Sequence, residues 1–169
     1  MAEEKKIGAI KEELQAAEDS MLPDFIARYE KDERSGVKSL VEKAGKRIQR
    51  LEAEYARIEN LKKYEKEYAD AGYICGIDEV GRGPLAGPVV AGAVILPKDC
   101  DILYINDSKK LSASMREKLY DEIMEKAVAT GIGMAGPGRI DEINILQATY
   151  EAMRQAITNL KVKPDILSV

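Results

Sequence analysis

The sequence predicts a mixed α/β domain that follows a helical N-terminal segment. Up to about residue 70 the chain consists of helix-forming residues with scattered charge, whereas from Tyr73 onward short apolar runs rich in glycine alternate with amphipathic stretches. The second part has the order strand, strand, helix, weak strand, helix, strand, which predicts a sheet with an antiparallel start and a parallel continuation. We therefore expect a helical extension over residues 1–70 and an α/β domain over residues 71–169.

The N-terminal segment is predicted to contain three helices. The stretch IGAIKEELQAA has its apolar residues on one helical face, and a break follows at Asp19–Ser20. Pro23 suits the first turn of a second helix, and a second break is expected at Ser35–Gly36. The third helix has an apolar seam with alternating steps of four and three, formed by Val37, Val41, Ala44, Ile48, Leu51, Tyr55 and Ile58. Such a seam is typical of a coiled coil or of a helix that packs on its neighbours, and the short neighbouring helices favour packing.

Charge in this segment is nearly balanced, with 15 Lys or Arg and 17 Asp or Glu over residues 1–70. A local basic cluster consists of Lys43, Lys46, Arg47 and Arg50, with Glu42 beside it. We interpret the cluster as a solvated helix face. The alternative for the cluster is a non-specific grip on a nucleic-acid backbone. For residues 1–70 as a whole, the alternative is a helical arm for protein interactions.

The α/β part begins with two predicted strands. YICGIDEV is a short and mostly apolar run, which favours a buried central strand, and PVVAGAVIL predicts the second strand. Pro84 and Gly87–Pro88 indicate a turn between them. The polar loop NDSKKLS follows, and either Ser112 or Ser114 is predicted to cap the helix SMREKLYDEIMEKA.

The remaining elements are a weak strand, a long helix and a final strand. ATGIGMAGPG has little β character, although Ile132 and Met134 alternate with glycine. INILQATYEAMRQAITNL predicts an amphipathic helix, and Asp141, in a second copy of the string IDE, is interpreted as its cap or first-turn acid. ILSV, after Pro164, predicts the start of the last strand.

Composition excludes several kinds of chemistry. The 169 residues contain no His, which excludes Ser–His and Cys–His nucleophiles and zinc sites that use His. Two Cys are too few for a disulfide framework. A net charge of −4 gives no support to a generally basic nucleic-acid binder. Because no apolar stretch resembles a membrane span or a signal peptide, a cytoplasmic location without membrane contact is expected.

The string GIDEVGRG contains the candidate site. Asp78 and Glu79 are adjacent, so on a regular strand they point to opposite faces and reach one site only where the strand ends, bulges or twists. Gly81 and Gly83 supply that freedom, and Arg82 between them can pair with phosphate oxygens. Carboxylates without His favour Mg²⁺ or Mn²⁺, so phosphodiester chemistry is the functional hypothesis and an ordinary acid pair at a turn is the alternative.

Two other features bear on this site. GRGPLAG lacks the spacing of a dinucleotide-binding glycine motif, and no Gly-Lys-Ser or Gly-Lys-Thr of a P-loop occurs. Ser108, Lys109 and Lys110 in the loop DSKKLS are candidate phosphate contacts, for which the alternative is a solvated loop.

Four ordered strings of the second part resemble the ribonuclease HII family. They are GIDEVGRGPLAGPVVAGAVIL, DSKKLS with MREKLYDEI, IDEINILQATYEAM, and PDILSV. Residues 1–70 resemble the helical extension of some bacterial members, a weaker match.

The resemblance implies a ribonuclease H-like fold and an endonuclease that uses Mn²⁺ or Mg²⁺. Its implied substrates are RNA–DNA hybrids and duplex DNA with embedded ribonucleotides, and we expect a monomer. It also implies that Asp78 and Glu79 are catalytic metal ligands. Gly81, Arg82 and Gly83 would read the ribose 2′-hydroxyl and the adjacent phosphate, and the loop around Lys109 would lie near the substrate backbone.

The family pattern also contains acids that this sequence does not supply. A third metal-binding Asp is expected immediately after the strand ILSV, and the sequence ends at Val169. Asp165 stands about four residues, or ~13 Å, from that position along a strand. We therefore expect the α/β part to be incomplete at its C-terminus, with weak metal binding and little or no cleavage. The alternative is a non-catalytic nucleic-acid-binding module.

Overall fold

The computed structural model describes residues 5–68, 70, 72–83 and 86–169. It divides into two compact units, Met1–Asn60 and Leu61–Val169. The predicted turn residue Pro84 lies outside the described residues. No helix in the described part of the chain is long and apolar enough to cross a membrane.

The first unit is helical, and its helices share one apolar core. Its elements are α1 (Ile7–Ala16), a 3₁₀ turn (Asp19–Met21), α2 (Leu22–Tyr29) and α3 (Ser35–Leu61). The buried core residues are Ile10, Leu14, Leu22, Phe25, Val37, Leu40 and Ala44, and Val41, Ile48 and Leu51 pack against them. The first half of the apolar seam of α3 therefore packs on neighbouring helices, which is the alternative that the sequence analysis favoured over a coiled coil.

The break before α3 lies earlier than the sequence predicted. Ser35 and Gly36 belong to the first turn of α3, and the chain leaves helical structure just before them. Asp32 stabilises this connection, because it accepts hydrogen bonds from the backbone N–H and the guanidinium of Arg34. The same guanidinium lowers the pKa of the Asp32 carboxyl. A charged side-chain bond, rather than the Ser-Gly pair, thus defines the turn.

The second unit contains a four-stranded mixed sheet of the predicted class. Its elements are the short helix α4 (Lys63–Glu67), β1 (Ile74–Val80), β2 (Val89–Ile95), α5 (Ala113–Lys126), β3 (Ala129–Ala135), α6 (Pro137–Thr158) and β4 (Ile166–Ser168). The strand order is β3-β2-β1-β4. β1 pairs antiparallel with β2, β2 antiparallel with β3, and β4 parallel with β1. The predicted antiparallel start and parallel continuation are confirmed.

α6 packs closely on one face of the sheet because the facing positions are small. Ala148, Ala152 and Ala156 of the helix are fully buried against the apolar residues of that face. A Cβ at Gly133 would lie 2.6 Å from the backbone nitrogen of Ala156 and under 3.0 Å from the Ala152 carbonyl oxygen. The weak strand signal of β3 follows from this packing, since glycine is needed there and the larger Ile132 and Met134 point to the other face.

α6 is kinked near its start. Asn144 has φ 69° and ψ 163° inside the helix, a conformation that is strained for a residue with a side chain. Its Oδ1 accepts a hydrogen bond from the Gln147 N–H at 3.1 Å and caps the longer second segment. Arg139 bonds both Glu142 and Glu151 at 2.9 Å and so links the two segments. The cap of the long helix is therefore Asn144, and the predicted cap Asp141 lies inside the first segment.

Candidate functional site

The acid pair lies near the end of a regular strand. Asp78 pairs with Gly92 and Glu79 with Ala91, and this antiparallel register continues to Val80. The two side chains therefore alternate, with Glu79 on the face that α6 covers and Asp78 on the opposite face. Asp78 is exposed, whereas the Glu79 side chain retains 19% of its accessible surface. The bulge that the sequence allowed does not occur in β1.

Local bonds orient both carboxylates. The Glu79 N–H donates to Asp78 Oδ1 at 2.8 Å, which holds the Asp78 carboxylate beside the backbone of the next residue. Arg82 Nη1 donates to Glu79 Oε1 at 3.3 Å, and half of the Arg82 side chain is exposed. The guanidinium is therefore tethered to one acid while its remaining N–H groups are open to an anionic ligand.

In the Gly-Arg-Gly turn after β1, the structure requires glycine at Gly81 and not at Gly83. Gly81 has φ +90°, and a Cβ there would lie under 3.0 Å from the Pro88 carbonyl oxygen. The conformation and the close approach of the returning chain both exclude a side chain at this position. Gly83 has open space around it, so a glycine there leaves its backbone accessible from outside.

The loop with the two lysines is held by side chains on either side of it. Asp107 Oδ1 accepts from the Lys109 N–H at 2.9 Å and starts the 3₁₀ turn Ser108–Lys110. Ser112 caps α5 by accepting from the Met115 N–H at 3.3 Å, which decides between Ser112 and Ser114. Within the described residues no hydrogen bond joins this loop to the turn after β1.

Arg116 is a residue of this loop region that the sequence analysis missed. Its Nη1 donates to the carbonyl oxygens of Leu111 at 2.7 Å and Ser108 at 3.2 Å. Lys109 and Lys110 are exposed and make no ion pair with any described residue. The position of Arg116, one turn after the Ser112 cap, was the available signal for a side chain that folds back on the loop.

A second fixed point lies at the other end of β1. The Tyr73 N–H donates to Asp165 Oδ2 at 2.8 Å, and the Asp165 N–H donates to the Tyr73 carbonyl oxygen at 2.8 Å. Gly72 has φ +93°, and a Cβ there would lie 2.8 Å from Asp165 Cγ. This reciprocal pair holds the start of β4 beside the start of β1. Asp165 is therefore about 17 Å along the strand from Asp78 and is occupied in a structural role.

The register of β4 reaches toward the acid pair. Ile166 pairs with Ile74, Leu167 with Cys75 and Ser168 with Gly76. Continued at the same register, the strand position after Val169 would pair with Asp78. Among the described residues no group of three or more His, Cys, Asp or Glu is arranged to hold a metal ion. Asp78 and Glu79 alone provide two hard oxygen donors of the type that divalent cations such as Mg²⁺ prefer.

Comparisons with known proteins identify the fold class and the family. Residues 75–169 match the family model described as ribonuclease HII, and residues 6–69 match the model of the ribonuclease HII N-terminal domain. The first match covers more than half of the chain and places the α/β unit in the ribonuclease H-like fold class that the sequence predicted. The chain belongs to the ribonuclease HII family.

Individual relatives agree with the family match. The chain is 60% identical over 162 residues to ribonuclease HII of Lachnoclostridium phytofermentans, covering 96% of this chain and 64% of that protein. It is 49% identical over 171 residues to ribonuclease HII of Enterococcus faecalis, covering 100% of this chain and 66% of that protein. The chain thus spans just under two thirds of the length of these relatives. A crystal structure of ribonuclease H2 from Pyrococcus horikoshii OT3 matches 56% of this chain and 48% of that one, with 29% identity and a TM-score of 0.45.

Proposed function

We propose that this chain forms part of an endonuclease that cuts the RNA strand of RNA–DNA hybrids and cuts duplex DNA at embedded ribonucleotides. The observation that carries the proposal is the position of Asp78, exposed near the carboxyl end of a central strand and followed by an open turn with Arg82. Family membership supports the same reaction, hydrolysis of a phosphodiester to leave a 3′-hydroxyl and a 5′-phosphate. The protein would act in the cytoplasm as a monomer.

Asp78 and Glu79 would hold the divalent cation, Mn²⁺ or Mg²⁺. Their oxygen donors fit a hard cation in kind, but two carboxylates are fewer ligands than such a site needs. A bound divalent cation supplies charge that stabilises the attacking and leaving oxygens of the phosphodiester. A β4 strand continued at the same register would bring its next position beside Asp78, where a further acid could join the site. The 169 residues by themselves would then bind the cation weakly and cut little.

The turn of Gly81, Arg82 and Gly83 would read the substrate. The open space at Gly83 lets a ribose approach the backbone, and a 2′-hydroxyl is the group that distinguishes RNA from DNA at one nucleotide. Arg82 would exchange its long bond with Glu79 for a phosphate oxygen, because a bidentate Arg–phosphate contact is the stronger interaction.

Lys109 and Lys110, which form no ion pair with a described residue, would contact the substrate backbone further along together with the hydroxyl of Ser108. In this scheme residues 71–169 form the N-terminal part of the catalytic domain and residues 1–70 form an extension.

The test uses the full-length product of the gene and a short duplex with a single ribonucleotide. With Mn²⁺ or Mg²⁺ present, we expect cutting at the ribonucleotide, and Asp78→Asn should abolish cutting but keep hybrid binding. Asp121→Asn, a change of an exposed acid on α5, is the matched control and should cut like the wild type. Cutting by Asp78→Asn at the wild-type rate would reject this site. Binding without cutting by the unaltered protein would favour the alternative of a non-catalytic module.

A further inference from the structure

The outer face of α3 is a short basic ridge. Lys43, Lys46 and Arg50 are exposed and follow one another at steps of three and four, so they share one side of the helix. The opposite side carries Val37 and Ala44, which are fully buried in the core of the first unit. Because the core fixes the rotation of α3, these three cations point away from the unit.

The ridge differs in its pairing from the other two arginines of α3. Arg47 pairs with Asp19, and Arg57 pairs with Glu54 at 2.7 Å. In the described part of the chain, Lys43, Lys46 and Arg50 have no hydrogen bond or ion pair. Formation of a complex would therefore break no internal salt bridge of these three side chains.

Size and chemistry identify the ligand. At a rise of about 1.5 Å per residue, the ridge is about 10.5 Å long, and duplex DNA carries about one charge per 1.7 Å of its axis. The ridge contains no aromatic residue on which a base could stack, so it is suited to phosphates rather than to bases. Beside the ridge, the apolar side of α3 packs in the core of the first unit, so it is not available for insertion into a membrane surface.

We propose that the ridge of Lys43, Lys46 and Arg50 binds the phosphate backbone of duplex nucleic acid without reading its sequence. The inference rests on the proposed function, in which a nucleic-acid duplex is the substrate. It gives the N-terminal extension a purpose, namely to add sequence-independent affinity to that of the catalytic unit. Since the contact is electrostatic, its signature is a dependence on salt concentration.

The test measures affinity for duplex DNA that contains no ribonucleotide, by fluorescence anisotropy over a range of salt concentrations. The ridge variant combines Lys43→Gln, Lys46→Gln and Arg50→Gln. The control variant combines Lys11→Gln, Lys31→Gln and Lys38→Gln, which removes the same charge from exposed and dispersed positions of the same unit. Gln has nearly the helix propensity of Lys and Arg, so α3 should persist, and circular dichroism checks this.

The expected result is a smaller salt dependence for the ridge variant alone. Each lost phosphate contact lowers the slope of log affinity against log salt by about 0.9, so the slope should fall by about 2.7. Between about 50 and 200 mM salt, the wild type should then lose about 40-fold more affinity than the ridge variant. The control variant should keep most of the wild-type slope, and the single change Lys46→Gln should lower it by about 1.

Equal slopes for the ridge variant and the wild type would overturn the proposal, as would equal losses in the ridge and control variants. Unchanged DNA binding with lost binding to anionic lipid vesicles would overturn it in favour of a membrane surface. Failure of the ridge proposal can be distinguished from failure of the proposed function, because binding to duplex DNA without a ribonucleotide is measured without any cleavage. A protein that never cleaves at a ribonucleotide but shows the slope change refutes the nuclease and leaves the ridge in place.

Discussion

Gly133 limits how closely α6 approaches the sheet, and substitution at this position tests the packing directly. In Gly133→Ala the new Cβ would lie 2.6 Å from the Ala156 nitrogen and under 3.0 Å from the Ala152 carbonyl oxygen. Ordinary van der Waals contact begins at 3.4 Å. Both neighbours are helix backbone, which cannot rotate away as a flexible side chain would. Relief therefore requires α6 to move off β3 by about 1 Å.

That movement opens the whole helix–sheet contact. A radial gap of about 0.5–1 Å loses about a quarter to a half of the dispersion attraction between the facing atoms. Overpacking of this kind costs about 1–3 kcal/mol, and the rigid backbone neighbours favour the upper end. For a unit of this size, about 3 kcal/mol corresponds to a fall of roughly 10–20 °C in the melting temperature. This is a large part of the stability of about 5–15 kcal/mol that is typical of a domain.

Gly76→Ala is the matched control on the same sheet. A Cβ at Gly76 meets nothing within 4 Å, so the change should alter stability by less than about 1 kcal/mol in either direction. Urea unfolding followed by circular dichroism gives the global stability, and hydrogen exchange at the amides of β3 reports on this unit alone. If Gly133→Ala and Gly76→Ala had equal stability within about 0.5 kcal/mol, close packing of α6 on glycine would be refuted.

Two further predictions concern the loop and the thiols of the second unit. Arg116→Ala removes both bonds to the loop carbonyls, and such exposed bonds contribute about 1 kcal/mol each at most. We therefore expect trypsin to cleave faster after Lys109 and Lys110 while the melting temperature changes little. Unchanged cleavage would show that the guanidinium does not hold the loop. Cys75 is fully buried, and burial raises the pKa of its thiol, whereas Cys100 is partly exposed. Iodoacetamide at mildly alkaline pH should therefore alkylate Cys100 in the native protein and Cys75 only on unfolding. Equal alkylation rates at the two thiols, measured by peptide mass spectrometry, would contradict this.

Periodicity predicted the elements well where burial and pattern coincide. The apolar run PVVAGAVIL forms β2 as predicted, and in it Val89, Ala91, Ala93 and Ile95 are buried while the intervening residues are less covered. The predicted helix SMREKLYDEIMEKA forms α5, and Leu119 is its buried residue. Hydrophobic burial drives both patterns, so the sequence contains the information that the fold uses.

Prediction was weaker where a tertiary contact rather than a local pattern decides the structure. β3 looked weak because its buried side is glycine, and only the position of α6 explains that choice. The start of α3 was misjudged because Asp32 and Arg34 define the turn through their side chains. Arg116 and Asp165 bond to backbone groups that no periodicity in the sequence relates to them.

The reciprocal hydrogen bonds between Asp165 and Tyr73 also affect the candidate site. β4 is short, with three residues, so its pairing alone fixes its register weakly. The reciprocal bonds of Asp165 with Tyr73, and the fit of the Asp165 carboxylate over Gly72, exclude a slip by one residue. A slip of one residue would turn every β4 side chain to the other face of the sheet.

The position that would pair with Asp78 is thus fixed by a contact at Tyr73, which lies five residues before Asp78 and immediately before β1. An acid at that position could share the face of Asp78 only in the register that the Asp165–Tyr73 bonds hold. Asp165 lies just before β4 and away from the acid pair, yet its bonds with Tyr73 decide which strand position comes beside Asp78.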